Sequence, residues 1–166
     1  HLAPGPPLAY ELHGERLGAA VLARLPADAV RSRHLRLARA LQQVHADALE
    51  PHLSALATHL AAAEERAEAR AFALRAARRA TARAEYELAH RHLCAARALG
   101  DDRSPDAGEV REDLADLEVL LGRYAAAEQE YVALLQGSTS ALSRSRLLRK
   151  LGMSLNHRGE FEASAR

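Results

Sequence analysis

One spacing constrains this chain more than any other. Tyr86, Ala89, Leu93 and Ala96 stand 3, 4 and 3 residues apart, and Tyr124, Ala127, Tyr131 and Leu134 repeat those intervals 38 residues later. Steps of three and four keep residues on one face of an α-helix, so the same helix is written twice. Its first members return once more as Phe161 and Ser164, just ahead of the last residue, Arg166. Gly122 and Gly159 stand two residues before the second and third copies. Glycine enters the left-handed conformation without steric cost, so both positions suit the abrupt end of one helix before the next begins. The aromatic two residues on then packs back across the junction, and the small residue after it lets the two helices cross closely. A period a little above 34 describes helical hairpins stacked in an array, each leaving an apolar face for its neighbour to cover.

The composition of the 166 residues fits such an array. Hydrophobic residues make up 48% but aromatics only 4%, so Ala and Leu must fill the interior of an all-α domain. A net charge of +1 gives no general attraction to nucleic acid. No run of about 18 apolar residues offers a membrane-spanning helix. The single cysteine, Cys94, cannot close an internal disulfide, and a reducing, cytoplasmic setting is expected. Cys94 itself reads as a small buried hydrophobe rather than a nucleophile. The chain starts at His1 with no signal segment and reads as a piece of a longer protein.

The predicted helices follow the apolar period. Leu12, Leu17, Ala20, Val21 and Leu25 suit a helix ending before Pro26. A second starts near Asp28 as its cap and places Val30, Leu37, Leu41 and Val44 inward, with Arg31, Arg36, Arg39 and Gln43 opposite. Pro51 opens a third helix with Leu53, Leu56, Ala57 and Leu60 inward. Further helices are predicted at about 66–83, 85–99, 109–121, 124–136 and 141–157, and a ninth begins after Gly159.

With these residues in place the chain resembles the tetratricopeptide repeat family. "DLADLEVLLGRYAAAEQEYVALL" gives Leu114, Ala115, Tyr124, Ala127 and Tyr131 at the family's large, small, aromatic, small and aromatic signature positions. "LLRKLGMSLNHRGEFEAS" gives Leu151, Gly152, Phe161 and Ser164, and "ARAEYELAHRHLCAARAL" gives Tyr86 and Ala89. "LSALATHLAAAEERAEARAFA" supplies a degenerate unit with Leu56, Ala57 and Ala69. The early units lack the turn glycine, and Arg111 stands where a large apolar residue is usual. The resemblance implies a right-handed superhelix of hairpins. The front half, with His13 in "YELHGERLGAAVLARLP", also looks like the region after the nucleotidase module of bacterial STAND or AAA-type signalling ATPases, kinases or transcriptional regulators. That second resemblance implies that residues 1–26 are the tail of a preceding winged-helix-like domain or an N-terminal helix. Residues 27–166 are then the array, cut short within its last repeat.

The same resemblance implies where a partner would bind. The groove positions of the first helices fall on Glu109, Glu112, Asp116, Val119 and Leu120 in one unit and on Arg146, Arg149, Met153, Asn156 and His157 in the next. Residues 66–92 carry seven Arg against three Glu, residues 101–130 carry ten acids against three Arg, and residues 137–166 carry six bases against two Glu. Alternating sign predicts that neighbouring helices pair their charges, with Glu112 and Asp116 opposite Arg146 and Arg149 and with Met153, Asn156 and His157 left for a partner. The expected partner is a protein or peptide segment, including the parent's own ATPase or effector domain.

Other chemistries are poorly served. There is no G-x-x-x-x-G-K-[ST] phosphate loop and no nucleophile beside a base, so no cofactor and no catalysis are expected. His45, His52 and His59 recur every seven residues, a rise of about 10.5 Å, whereas zinc ligands on one helix stand three or four apart. They read as surface or interhelical histidines, as do His90 and His92. Arg75, Arg79 and Arg83 form a stripe that could face phosphates, but no aromatic residues interleave it, and nucleic acid is the lesser alternative. A carboxylate clamp for chaperone tails needs Lys and Asn at two groove positions, which here hold Ser54, Leu74, Glu112 and Arg149 and then Thr58, Arg78, Asp116 and Met153.

Overall fold

The computed structural model describes residues 25–101 and 104–159. The helix expected ahead of Pro26, with His13, lies outside them except for Leu25, as does the third copy at Phe161 and Ser164. The described chain is all-α, without a strand: α1 (Ala27–Val44), a 3-10 turn (Glu50–His52), α2 (Leu53–Ala62), α3 (Arg66–Ala82), α4 (Tyr86–Leu99), α5 (Ala107–Leu120), α6 (Tyr124–Gly137) and α7 (Ala141–His157). The predicted boundaries agree to within two residues from Arg66 onward, because glycines, charge breaks and short polar loops interrupt the apolar period at each end. No described helix is long and apolar enough to cross a membrane.

Three helix junctions have one geometry. Glu64, Ala84 and Gly122 are left-handed, with φ of 63°, 58° and 74°. The next residue, Glu65, Glu85 or Arg123, has φ between −78° and −91° and ψ between 55° and 65°. Its N–H donates to the carbonyl five residues back, on Leu60, Ala80 or Glu118, at 2.9, 2.9 and 2.7 Å. This bond satisfies a carbonyl that the helix end would otherwise leave open. Five residues beyond each left-handed position comes an alanine with no exposed surface: Ala69, Ala89 and Ala127. Gly159, at φ 84°, is left-handed as well at the end of α7. The glycine missing from the early junctions is thus replaced by residues that adopt its conformation at a steric cost of about 1–2 kcal/mol.

These junctions correct the repeat register. α3 has such a turn at both ends, so it cannot be the second helix of a unit containing Leu56, Ala57 and Ala69 and also the first helix of the unit containing Tyr86 and Ala89. Each helix packs chiefly on its two sequence neighbours. Polar links then join alternate helices. Arg39 pairs with Glu68 between α1 and α3 at 2.6 Å, and Arg70 with Asp106 at the start of α5 at 2.6 Å. Arg146 and Lys150 on α7 pair with Glu112 on α5 at 2.8 and 2.7 Å. On the even side, Ser54 on α2 bonds His92 on α4 at 2.9 Å, and Arg97 on α4 pairs with Glu130 on α6 at 3.1 Å. Ser54 therefore belongs with the even helices and not with Leu74, Glu112 and Arg149.

The core runs serially along the chain. Leu53, Leu56 and Leu60 meet Ala69, Phe72 and Ala73 in one cluster; Ala77, Ala80 and Leu93 meet Val110, Leu114 and Leu117 in the next; and Ala115, Ala127, Tyr131 and Leu147 form the last. Two sequence expectations on α1 fail. Its buried residue is Ala38, flanked by partly buried Leu35 and Leu41, whereas Leu37 and Val44 are 50% and 75% exposed. The close approach selects the small side chain over the larger ones beside it. Asp28 lies in the first turn and pairs with Arg31, and no side chain caps the helix. Arg31 and Arg39, expected on a solvated face, reach Glu64 and Glu68. Arg111 clasps Glu130 through Nε and a terminal nitrogen at 2.9 and 2.8 Å, which explains a charge where an apolar residue was expected.

If the turn geometry governs these junctions, glycine should have opposite value at two of them. Ala84→Gly removes the left-handed strain and should stabilise by about 0.5–1 kcal/mol, while Gly122→Ala should destabilise by about 1 kcal/mol. Urea unfolding of the two variants measures both, and a loss of stability in Ala84→Gly would contradict the shared turn.

Candidate functional site

The strongest concentration of interacting polar groups lies between α5 and α7. Glu112 sits one turn before Asp116 on α5, and on α7 Arg146 sits one turn before Lys150. Arg146 and Lys150 divide the two Glu112 oxygens at 2.8 and 2.7 Å, and Lys150 also holds Asp116 at 2.5 Å. The remaining Asp116 oxygen accepts the Tyr131 hydroxyl at 2.7 Å from α6. Burial alone would push the Glu112 carboxyl up, but its bonds from Lys150 and Arg146 hold it below the usual carboxylate range. Lys150 is raised because its two carboxylate partners outweigh its burial. Burial, and then the Asp116 bond, push the Tyr131 phenol up. The Glu112 carboxylate, the Lys150 ammonium and the neutral Tyr131 phenol are thereby held in those forms, so they fix helices in place and have no proton to trade near neutral pH.

Of the knot's residues, Glu112, Asp116 and Arg146 were expected to pair across these helices, but the fourth expected member, Arg149, is not among them. Arg149 is exposed and reaches the Met153 sulfur at 3.4 Å on its own helix, not Glu112 or Asp116. Lys150 is the partner, and it was missed because a helix turns 100° per residue and the inferred groove register was one residue out. Glu109 and Asn156 are exposed, Met153 is 50% exposed, and His157 stacks on Tyr124 with ring centroids 6.0 Å apart.

A cleft of about 380 Å³ opens on the same side, between α3 and α5. Its floor is Ala77, Leu93 and Leu117, each at most 4% exposed. Arg78 and Thr81 line one wall and Asp113 and Asp116 the other. Burial, followed by the charge of Asp116, pushes the Asp113 carboxyl up, while Lys150 and Arg78 pull it partly back. Arg78 falls at an inferred groove position in the sequence, but no local signal marks either it or Asp113 as a binding residue. Only the fold brings the two walls together.

Other candidates resolve into interhelical contacts. His45 and His52 stack with centroids 3.8 Å apart, His34 Nδ1 lies 2.9 Å from His59 Nδ1, and His90 bonds Glu118 at 2.7 Å. Among the described residues no three His, Cys, Asp or Glu side chains are grouped to hold a metal. Cys94 is exposed, contrary to expectation, and burial of its sulfur followed by Glu118 pushes the thiol up, away from thiolate reactivity. In the arginine stripe, Arg75 is tied to Glu50 and Arg83 to Glu85. Comparison of the chain with protein-family models, with curated proteins and with solved structures finds no match in any of the three.

Two measurements test these assignments. A double-mutant cycle of Glu112→Gln with Lys150→Met should show coupling of about 1 kcal/mol, whereas Glu112→Gln with Arg149→Gln should be additive within about 0.5 kcal/mol. The second concerns pH. His59 is held below its ordinary 6.5 by burial and then by His34, and His92 by burial and then by Arg91. Such histidines bind protons more readily unfolded than folded, so their contribution is complete above pH 6.5 and is lost as pH falls through and below that value. Unfolding free energy should drop between pH 6.5 and about 5, and the drop should flatten in a His59→Gln, His92→Gln double variant.

Proposed function

We propose that this chain is a protein-interaction region, a tetratricopeptide-like array that serves as the regulatory or sensor part of a larger multidomain signalling protein of the STAND or AAA-linked kind. It works by binding and not by chemistry. The observation that carries the reading is the grooved face formed by alternate helices: α3 and α5 flank the cleft, and α5 and α7 are held side by side by Glu112, Arg146 and Lys150. Odd helices on one side and even helices on the other is the arrangement a superhelical array needs. The ion pairs keep the wall rigid, so a partner segment meets a surface whose ordering cost is already met. Exposed Leu120 and Met153, with Asn156 and His157 beyond, offer apolar and polar contacts along it. A partner, or the parent's own ATPase or effector domain, that prefers this face in one state would shift the parent's activity by that difference in affinity.

Photo-crosslinking reads the face directly. A benzoylphenylalanine at Leu120 or Met153 in the full-length parent should give adducts that the same probe at exposed Val44, on α1 away from the cleft, does not. Equal crosslinking at all three positions would remove the groove as the binding surface.

A further inference from the structure

The cleft between α3 and α5 carries two exposed charged side chains that have no partner among the described residues. Glu112 and Asp116 are both engaged by Lys150. Among the described residues Asp113, on the turn between them, makes no hydrogen bond or ion pair, and on the opposite wall Arg78 likewise makes none. The two feel each other electrostatically without meeting, since Arg78 is among the groups that lower the Asp113 carboxyl. The aliphatic floor of Ala77, Leu93 and Leu117 lies between the walls. Leu74 and Leu120 extend it toward solvent, Leu120 at 54% exposure.

We propose that this cleft receives a partner segment in which one aliphatic side chain is flanked by a basic and an acidic residue. The inference rests on the groove reading above and names the chemistry of its partner. The aliphatic group packs on Leu74 and Leu120, directly above the buried Leu93 and Leu117, the basic group meets Asp113, and the acidic group meets Arg78. Two opposite charges on facing walls discriminate against uniformly basic and uniformly acidic partners, because either would set like charges together at one wall. The apolar rim of Leu74 and Leu120 discriminates against a segment with only polar side chains, which would cover it without gain. Asp113 stands beside a second carboxylate, Asp116, on its wall whereas Arg78 stands beside the neutral Thr81, so the basic residue of the partner should dominate specificity.

Synthetic dodecapeptides on a serine, glycine and glutamine background provide the probe: one with a central leucine between a lysine and a glutamate, and others with the lysine or glutamate replaced by glutamine or the leucine by serine. Each is titrated into the protein while the methyl resonances of Leu93, Leu117 and Met153 are followed by NMR. The parent peptide should shift Leu93 and Leu117, with about tenfold loss of affinity when its lysine is replaced. In an Asp113→Asn variant that loss should shrink to within about twofold, while the penalty for losing leucine stays. Equal affinity with and without the lysine, an unchanged lysine effect in Asp113→Asn, or no shift at Leu93 and Leu117 at millimolar peptide would each overturn the proposal. So would concentration-dependent shifts of the same methyls without peptide, which would make a second copy of the chain the occupant. Shifts confined to Met153, or crosslinks from Met153 but not Leu120 with a silent cleft, overturn this assignment alone, whereas the absence of both responses removes the groove reading as well.

Discussion

The structure depends on a turn that reverses the chain in three residues and then buries an alanine. At Glu64, Ala84 and Gly122 a left-handed residue lets the next N–H reach five residues back, and the helix that follows starts at a fixed angle to the one before. Ala69, Ala89 and Ala127 then sit where the two helices meet, with no surface left exposed. A larger side chain there would push the axes apart, and each later helix would inherit the displacement. Because the core is serial, with α3 giving Ala73 to one cluster and Ala77 to the next, the error would not stay local.

Electrostatics acts on the scaffold that the turns create. Sequence neighbours are joined by apolar contact, while many links between alternate helices are ion pairs: Arg39 to Glu68, Arg70 to Asp106, Arg97 to Glu130, and Lys150 to Glu112 and Asp116. Exposed pairs of this kind are each worth at most about 1 kcal/mol, so they select an order and spacing of helices more than they hold the fold together. The Arg70 guanidinium, with Ser104 second, holds the Asp106 carboxyl at about 2, so that link persists through mild acid. The histidine contacts at His59 and His92 are the part that acid would undo first.

The proposed binding face follows from those two layers of interaction. Charges already satisfied within the array, such as Glu112 and Lys150, make a stiff wall and have little left for a partner. Side chains left unmatched among the described residues, Asp113 and Arg78, stand beside an apolar floor and are the groups the proposed partner would match. A residue's position on the groove face is therefore insufficient to make it a contact. Its own neighbours decide whether it is spent on structure.

The sequence by itself determined the helices between Arg66 and His157 and their endings, because local spacing and turn residues act over distances of a few residues. Tyr124, Ala127 and Tyr131 were legible as one repeated face, and helix limits from Arg66 onward came within two residues of those observed. It did not determine that Glu64 and Ala84 would take the glycine conformation, since only the packing of Ala69 and Ala89 behind them compensates the strain. Nor did it reveal that α3 turns back at both ends, which shifts Ser54 to the even helices. The alternating charge blocks told which helices pair but not which side chains, and Lys150 replaced Arg149 because 100° of helical rotation lies between them. Arg78 and Asp113 are 35 residues apart in the chain and share a cleft only because a whole helix, α4, lies between α3 and α5 and brings them to the same side. Spacing within a helix is a local property that a sequence carries on its face, whereas spacing across helices is the sum of every turn and crossing between them, and only the tertiary structure performs that sum.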